Sequence, residues 1–121
     1  MRDILIVEDS PTQAEKLKYI LEQHDYQVSV TKQGQQALAW MEKRKPVLVI
    51  SDIMMPEMDG YETMQVIRQN SLFRRLPIIA LTAKAMKGDR EKCLEAGASE
   101  YLAKPVNTEQ LLSALRMWLH R

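Results

Sequence analysis

The sequence predicts an α/β fold: a doubly wound, five-stranded parallel sheet in the order 2-1-3-4-5, with five helices. Three observations predict it. Five short apolar runs alternate with five longer segments of helical period, the pattern of a parallel sheet covered on both faces. One run, Val47-Leu48-Val49-Ile50, is continuously apolar and rich in β-branched residues, as a strand buried on both faces requires. The second run alternates only weakly, through Val28 and Val30, which suits a sheet edge. Right-handed crossovers and that edge favour the stated order.

Each element has its own signals. Ile4 to Val7 is the first strand, and Ser10-Pro11 supplies a helix cap and a first-turn proline. Ala14, Leu17, Ile20, Leu21 and His24 then recur at helical spacing, with an end near Asp25. Gln27 to Thr31 is the edge strand. Gly34 opens a second helix with Ala37, Leu38 and Met41 on one face, and Lys43-Arg44-Lys45-Pro46 ends it, because proline and its predecessor disfavour helix. The Val47 strand runs through Ser51 into Asp52, and a loop rich in turn residues follows. Asp59-Gly60-Tyr61-Glu62 fits a capping box for a third helix that turns Met64, Ile67 and Ser71 inward. Pro77 to Leu81 is the fourth strand, ending at Thr82. The fourth helix is weakly specified: Met86, Cys93 and Leu94 are its sparse apolar positions, and Gly88 weakens it. Gly97 stops it. Tyr101 to Ala103 is a short fifth strand. Asn107 or Thr108 caps a last helix with Leu111, Leu112, Leu115 and Trp118 or Leu119 inward.

The bulk properties narrow the function. A chain of 121 residues is one domain of ordinary size, read here as a single unit over 1–121. Its net charge of +1 gives no electrostatic case for binding nucleic acid or a membrane surface. Cys93 is the only cysteine, so no intrachain disulfide forms, and a small core residue is its expected role. Ile4 to Val7 is too short for a signal segment and is cut off by Glu8-Asp9. No run reaches membrane-spanning length, so a cytoplasmic protein is expected.

Strand ends carry the chemistry. The first strand ends in Glu8-Asp9, the third in Asp52, the fourth in Thr82 and the fifth in Lys104. In a parallel sheet these ends share one edge, and in this order the four strands are neighbours. Three carboxylates, a hydroxyl and an ammonium therefore converge on one crevice, the usual ligand site of such sheets. Acids so close repel one another unless cations compensate. Lys104 supplies one positive charge, and an all-oxygen ligand set suits Mg²⁺ for the rest. A cation and an ammonium stabilise a transferred phosphoryl group, and a carboxylate can itself be the nucleophile. Asp52 is the best candidate, with acids on one side and Thr82 and Lys104 on the other.

The set Glu8-Asp9, Asp52, Thr82-Ala83 and Lys104-Pro105, with Met55-Pro56-Glu57-Met58-Asp59-Gly60, resembles the receiver domain of bacterial two-component response regulators, a flavodoxin-like fold that includes the chemotaxis regulators. The resemblance spans the chain. It implies a phosphorylation-dependent signalling switch rather than an enzyme with a separate substrate. Asp52 would be the phosphoacceptor, Asp9 a direct Mg²⁺ ligand and Glu8 a ligand through water. Met54 would offer its backbone carbonyl to the metal. Thr82 and Lys104 would bind the phosphate, with small Ala83 beside it. The Lys104-Pro105 peptide would be cis, and Tyr101 would be the switch aromatic. Met54 and Lys84 occupy positions that tune phosphate lifetime in the family, and an apolar and a basic residue there predict a persistent phosphate. The donor would be a histidine kinase or a histidine phosphotransfer domain. The output face would comprise the fourth helix, fifth strand and fifth helix, open to an effector or a second copy.

Each residue also has a plainer reading. Glu8 and Asp9 are equally first-turn helix acids. Thr82 can be a cap, Lys104 a solvated lysine and Tyr101 a packing residue. His24 and His120 sit at helix ends without metal-ligand spacing, and Trp40 and Trp118 read as packed aromatics. Two functional rivals stand beside the switch. An aspartyl-phosphate-forming phosphatase would carry a second acid where Met54 stands. A receiver-like interaction module independent of phosphate would not need the full constellation. The chain ends one helix after Pro105, as either a stand-alone regulator or a receiver from a larger protein would.

Overall fold

A computed structural model describes residues 3–52, 60–82 and 89–119. Its elements alternate as β1 (Asp3–Val7), α1 (Pro11–Glu22), β2 (Gln27–Thr31), α2 (Gly34–Lys43), β3 (Leu48–Asp52), α3 (Gly60–Gln69), a 3-10 turn (Ser71–Phe73), β4 (Ile78–Thr82), α4 (Asp89–Ala96), β5 (Glu100–Ala103) and α5 (Thr108–Leu119). The strands form one parallel sheet in the order β2-β1-β3-β4-β5, as the sequence predicts. Every residue of β3 and β4 is buried, whereas β2 and β5 are only partly covered. Central strands between two helical layers have no polar face, which is why the Val47 run is unbroken.

Alternate residues of each strand enter different cores. Leu5, Val7, Val49, Ile78 and Ala80 pack with residues of α2, α3 and α4. Ile4, Ile6, Leu48, Ile50, Ile79 and Leu81 pack with residues of α1 and α5. Cys93 is fully buried in the first core, so it serves as a small core residue. Trp40 and Trp118 both pack against the cores.

Two helices close in the same way. After α1, the Tyr26 amide donates to Leu21 O and the Asp25 amide to Glu22 O, with Asp25 at φ 67°. After α4, the Ala98 amide donates to Cys93 O and the Gly97 amide to Leu94 O, with Gly97 at φ 122°. Both are Schellman closures. Buried Tyr26 rests in the same core as Leu21 and seals the first one.

Several expectations need correction. Ser71 does not face the core: α3 ends at Gln69, the Asn70 side chain accepts from the Leu72 amide, and the resulting 3-10 turn exposes Ser71 and buries Phe73 instead. His24 is exposed, with Nδ1 3.0 Å from Ile20 O, because the chain has already left the helix there. Leu94 is 37% exposed, leaving Cys93 as the inward residue of that pair. β5 begins one residue early, at Glu100. Of the two expected α5 caps, Asn107 holds the place, as one of those readings has it, its Oδ1 accepting from the Gln110 amide. Met54, Asp59, Ala83, Lys84, Met86 and Gly88 lie outside the described residues. Among the described residues no helix is long and apolar enough to cross a membrane.

Candidate functional site

The carboxyl ends of β1, β3 and β5 bring together Glu8, Asp52 and Lys104. Strand parity places them on one side. Leu48 and Ile50 face the α1–α5 core, so Asp52 follows them at the mouth of β3. Ile4 and Ile6 face the same way, and Glu8 is the next residue in that series. Leu102 packs there too, and Lys104 follows it. Three strands thus deliver their polar ends to one crevice by simple alternation.

Lys104 ties the acids together. Its Nζ donates to Glu8 Oε1 at 2.7 Å and to Asp52 Oδ2 at 3.0 Å. Glu8 and Asp52 are both buried, at 2% and 4% exposure, which depth alone would make costly for charge. The second Glu8 oxygen, Oε2, accepts from the Ser10 amide at 3.1 Å. Ser10 also caps α1, its Oγ accepting from the Gln13 amide at 3.4 Å. The helix start therefore positions Glu8, a contribution of Ser10 that its reading as a cap did not include. A polar cap two residues after a strand-end acid was the available signal.

These contacts set the electrostatics. Burial pushes the Glu8 carboxyl above the usual carboxylate range, against the pull of Lys104 and the Ser10 amide. For Lys104, burial works downward, but its hydrogen bonds to Glu8 and Asp52 and their charges outweigh it and hold the ammonium above its ordinary value. The site is a lysine clamped between acids, and it stays cationic at neutral pH.

Asp9 completes an acidic triad. Glu8, Asp9 and Asp52 each offer a carboxylate oxygen within 4.8 Å of the others, with Asp9 exposed and the other two buried. The donors are all oxygen, and one side of the cluster opens to solvent, so the residues fit a hard divalent cation that retains water. Both Glu8 oxygens already accept hydrogen bonds, which suits it to an outer position.

Thr82 ends β4 next door, in register with Ala103, and its carbonyl accepts from the Lys104 amide at 2.8 Å. It is buried. Its parity follows Ile78 and Ala80, so it lies on the α3–α4 side of the sheet. Tyr101 pairs with Ala80 and packs against that same core, half-buried. Thr82 and Tyr101 therefore share a face, while Asp52 and Lys104 occupy the other. The Lys104-Pro105 peptide is cis. Beside Lys104 a cleft of about 250 Å³ opens between α1 and the segment that follows β5, lined by Leu17, Ile20, Pro105 and Val106 among others. Met54, Ala83 and Lys84 are sequence-predicted site residues outside the described region.

This arrangement can be set beside known proteins. The family model described as "Response regulator receiver domain" matches residues 4–116. Rre1, a response regulator of Synechocystis sp., is 36% identical over 119 residues, covering 98% of this chain and 52% of that protein. The chain thus spans about half of that relative. The polar-differentiation response regulator DivK of Brucella anthropi is 30% identical over 118 residues, covering 98% of this chain and 96% of that one. The receiver domain of sensor histidine kinase PA1611 from Pseudomonas aeruginosa, solved with a magnesium ion coordinated in its active site cleft, matches with a TM-score of 0.91. It is 38% identical and covers 99% of this chain and 98% of that one. The chain belongs to the response regulator receiver domain family of two-component signalling.

Proposed function

We propose that residues 1–121 form a single cytoplasmic receiver unit that takes a phosphoryl group onto Asp52 from a histidine kinase or a histidine phosphotransfer domain. The observation that carries this reading is the Lys104 ammonium held between Asp52 and Glu8, with Asp9 beside them. An Asp52 carboxylate oxygen attacks phosphorus as the phosphorus–nitrogen bond of the donor phosphohistidine breaks. The electron pair leaves with the imidazole nitrogen, which takes a proton from solvent. Lys104, already within reach of Asp52 Oδ2, turns to an oxygen of the new phosphate. The Thr82 hydroxyl moves toward another. Asp9, Asp52 and the Met54 carbonyl would hold Mg²⁺, with Glu8 acting through water. When bound, Mg²⁺ offsets charge on the acids and on the transferred phosphoryl oxygens.

Phosphorylation adds negative charge and acceptor oxygens where Lys104 now pairs with two acids. Thr82 is drawn toward the phosphate, vacates space on the α3–α4 side, and Tyr101 follows on that face. The surface of α4, β5 and α5 is then the output, reading the change to an effector or a second copy. The unit neither binds nucleic acid directly nor inserts into a membrane, and it has no substrate separate from its own aspartate.

Transfer from a purified phosphorylated histidine phosphotransfer domain tests the reading. Label should move to the parent and not to Asp52→Asn, and a phosphate monoester should not be turned over. Steady monoester turnover would instead support the phosphatase reading. Met54 and Lys84 give a slowly hydrolysed phosphate on this account. Aspartyl-phosphate decay should accelerate in Met54→Asn/Lys84→Glu, and an unchanged rate rejects that assignment.

A further inference from the structure

The sheet edge opposite Asp52 carries a feature that phosphoacceptor chemistry does not use. A cavity of about 550 Å³ there is lined by Arg68, Arg74, Arg75 and Ser99, over Val47 and Pro77. Its volume falls within the roughly 300–1,000 Å³ of small-molecule sites.

Arg68 is the fixed member of the set. Nε donates to Gly97 O at 2.9 Å, Nη1 to Phe73 O at 2.8 Å and Arg74 O at 3.2 Å, and Nη2 to Ser99 Oγ at 3.3 Å. A basic residue in a last helical turn ordinarily answers the carbonyls of its own helix. None of these acceptors belongs to α3: Arg68 answers the closing carbonyls of α4 and of the 3-10 turn, and such neutral contacts do not neutralise its charge. Nor does an ion pair: among the described residues, no carboxylate lies within ion-pair distance of Arg68, Arg74 or Arg75. Asp3 and Glu100, the acids that open β1 and β5 at this edge, do not line the cavity. A half-buried guanidinium held by neutral acceptors, with two exposed arginines beside it, is positive charge without a carboxylate partner among the described residues.

Ser99 adds a donor. Its Oγ accepts from Arg68 Nη2 and from the Ile78 amide at 3.1 Å, which leaves its own proton to give. Two guanidinium forks, from Arg74 and Arg75, with one Arg68 Nη2 proton and one hydroxyl proton form a receptor for oxyanions, and planar forks match phosphate geometry.

We propose that this cavity binds a small phosphate-bearing anion, of the size of pyrophosphate or a nucleoside diphosphate. The anion engages Arg74 and Arg75, the remaining Arg68 Nη2 proton and the Ser99 hydroxyl. Through Arg68 and Ser99 it steadies the segment between α4 and β5 and the start of β4. Those two strands carry Thr82 and Lys104 at their far ends.

The test is a titration of the ¹⁵N-labelled, Mg²⁺-free protein with pyrophosphate and, separately, ADP, at ionic strength held constant with NaCl. Saturable shifts are expected at the Ile78, Gly97 and Ser99 amides and at Arg68 Nε–H with at least one of the two anions. The tighter of the two identifies whether a free oligophosphate or a nucleotide is the better source. Affinity should fall about tenfold or more in Arg74→Ala/Arg75→Ala, where two charge-assisted contacts are lost, and stay unchanged in Asp52→Asn. Both arginines are exposed, so the double variant keeps its fold, and the dispersion of its spectrum checks this directly. Shifts centred on Asp52, Thr82 and Lys104, shifts that never saturate with either anion, or equal affinity in the double variant would overturn the proposal.

Discussion

Lys104 is the residue on which the site balances. It is the cation between two buried carboxylates, and removing it takes from both the ammonium that offsets the cost of their burial. Lys104→Met should destabilise the metal-free protein by about 3 kcal/mol in urea unfolding. In Glu8→Gln/Lys104→Met the loss should be clearly smaller than the sum of the single changes, because the two residues are in contact. Additive losses would mean that the 2.7 Å contact carries no coupling. Asp9 tests the opposite sign. It adds a third like charge within 4.8 Å of the others from an exposed position, without contacting Lys104. Asp9→Asn should raise the metal-free thermal midpoint by relieving repulsion. If Mg²⁺ takes the proposed site, it should raise the parent's midpoint through linkage, and Asp9→Asn should abolish that rise. A lower metal-free midpoint, or an intact Mg²⁺ response, would contradict the placement of Asp9 among the ligands.

At the scale of elements, the ends matter more than the middles. Gly97 closes α4 at φ 122°, and a Cβ there would come within 2.7 Å of Arg68 Cγ. Gly97→Ala should therefore cost about 1–3 kcal/mol, from backbone strain together with displacement of Arg68. A midpoint within error of the parent would show that Arg68 moves freely. Gly97 was legible as a helix stop because glycine after a last turn is a local signal. The strands were legible for a similar reason, since each short apolar run meets a polar residue or proline. Ser71 was misread because helical spacing continues on paper past Gln69, whereas Asn70 caps a new 3-10 turn and Phe73 takes the core position. The fourth helix stayed vague because its inward contact among the described residues rests largely on Cys93 and Ala96, small residues that make a faint periodic signal.

For the whole molecule, the sheet converts distant sequence into adjacent chemistry. Glu8, Asp52 and Lys104 are far apart in the chain but meet because parallel strands all end on one edge. That rule is general enough to apply from sequence, so the acidic edge could be read in advance. The arginine cavity at the opposite edge could not. Arg68, the Arg74-Arg75 pair and Ser99 come from a helix end, a turn exit and a loop, and no spacing rule joins them. The face-sharing of Thr82 and Tyr101, opposite to Asp52 and Lys104, likewise emerges from register and the two cores. On the proposed function it would give the switch its direction, from the α1–α5 side where a phosphate on Asp52 would add charge to the α3–α4 side where Tyr101 packs. All of this depends on Asp52 being the atom source for the new bond. The most direct measurement is intact mass after treatment with a small phosphodonor and Mg²⁺, with Asp52→Asn run in parallel. The account predicts a gain of one phosphoryl group in the parent and none in Asp52→Asn; no gain in the parent, or the same gain in both, would contradict it.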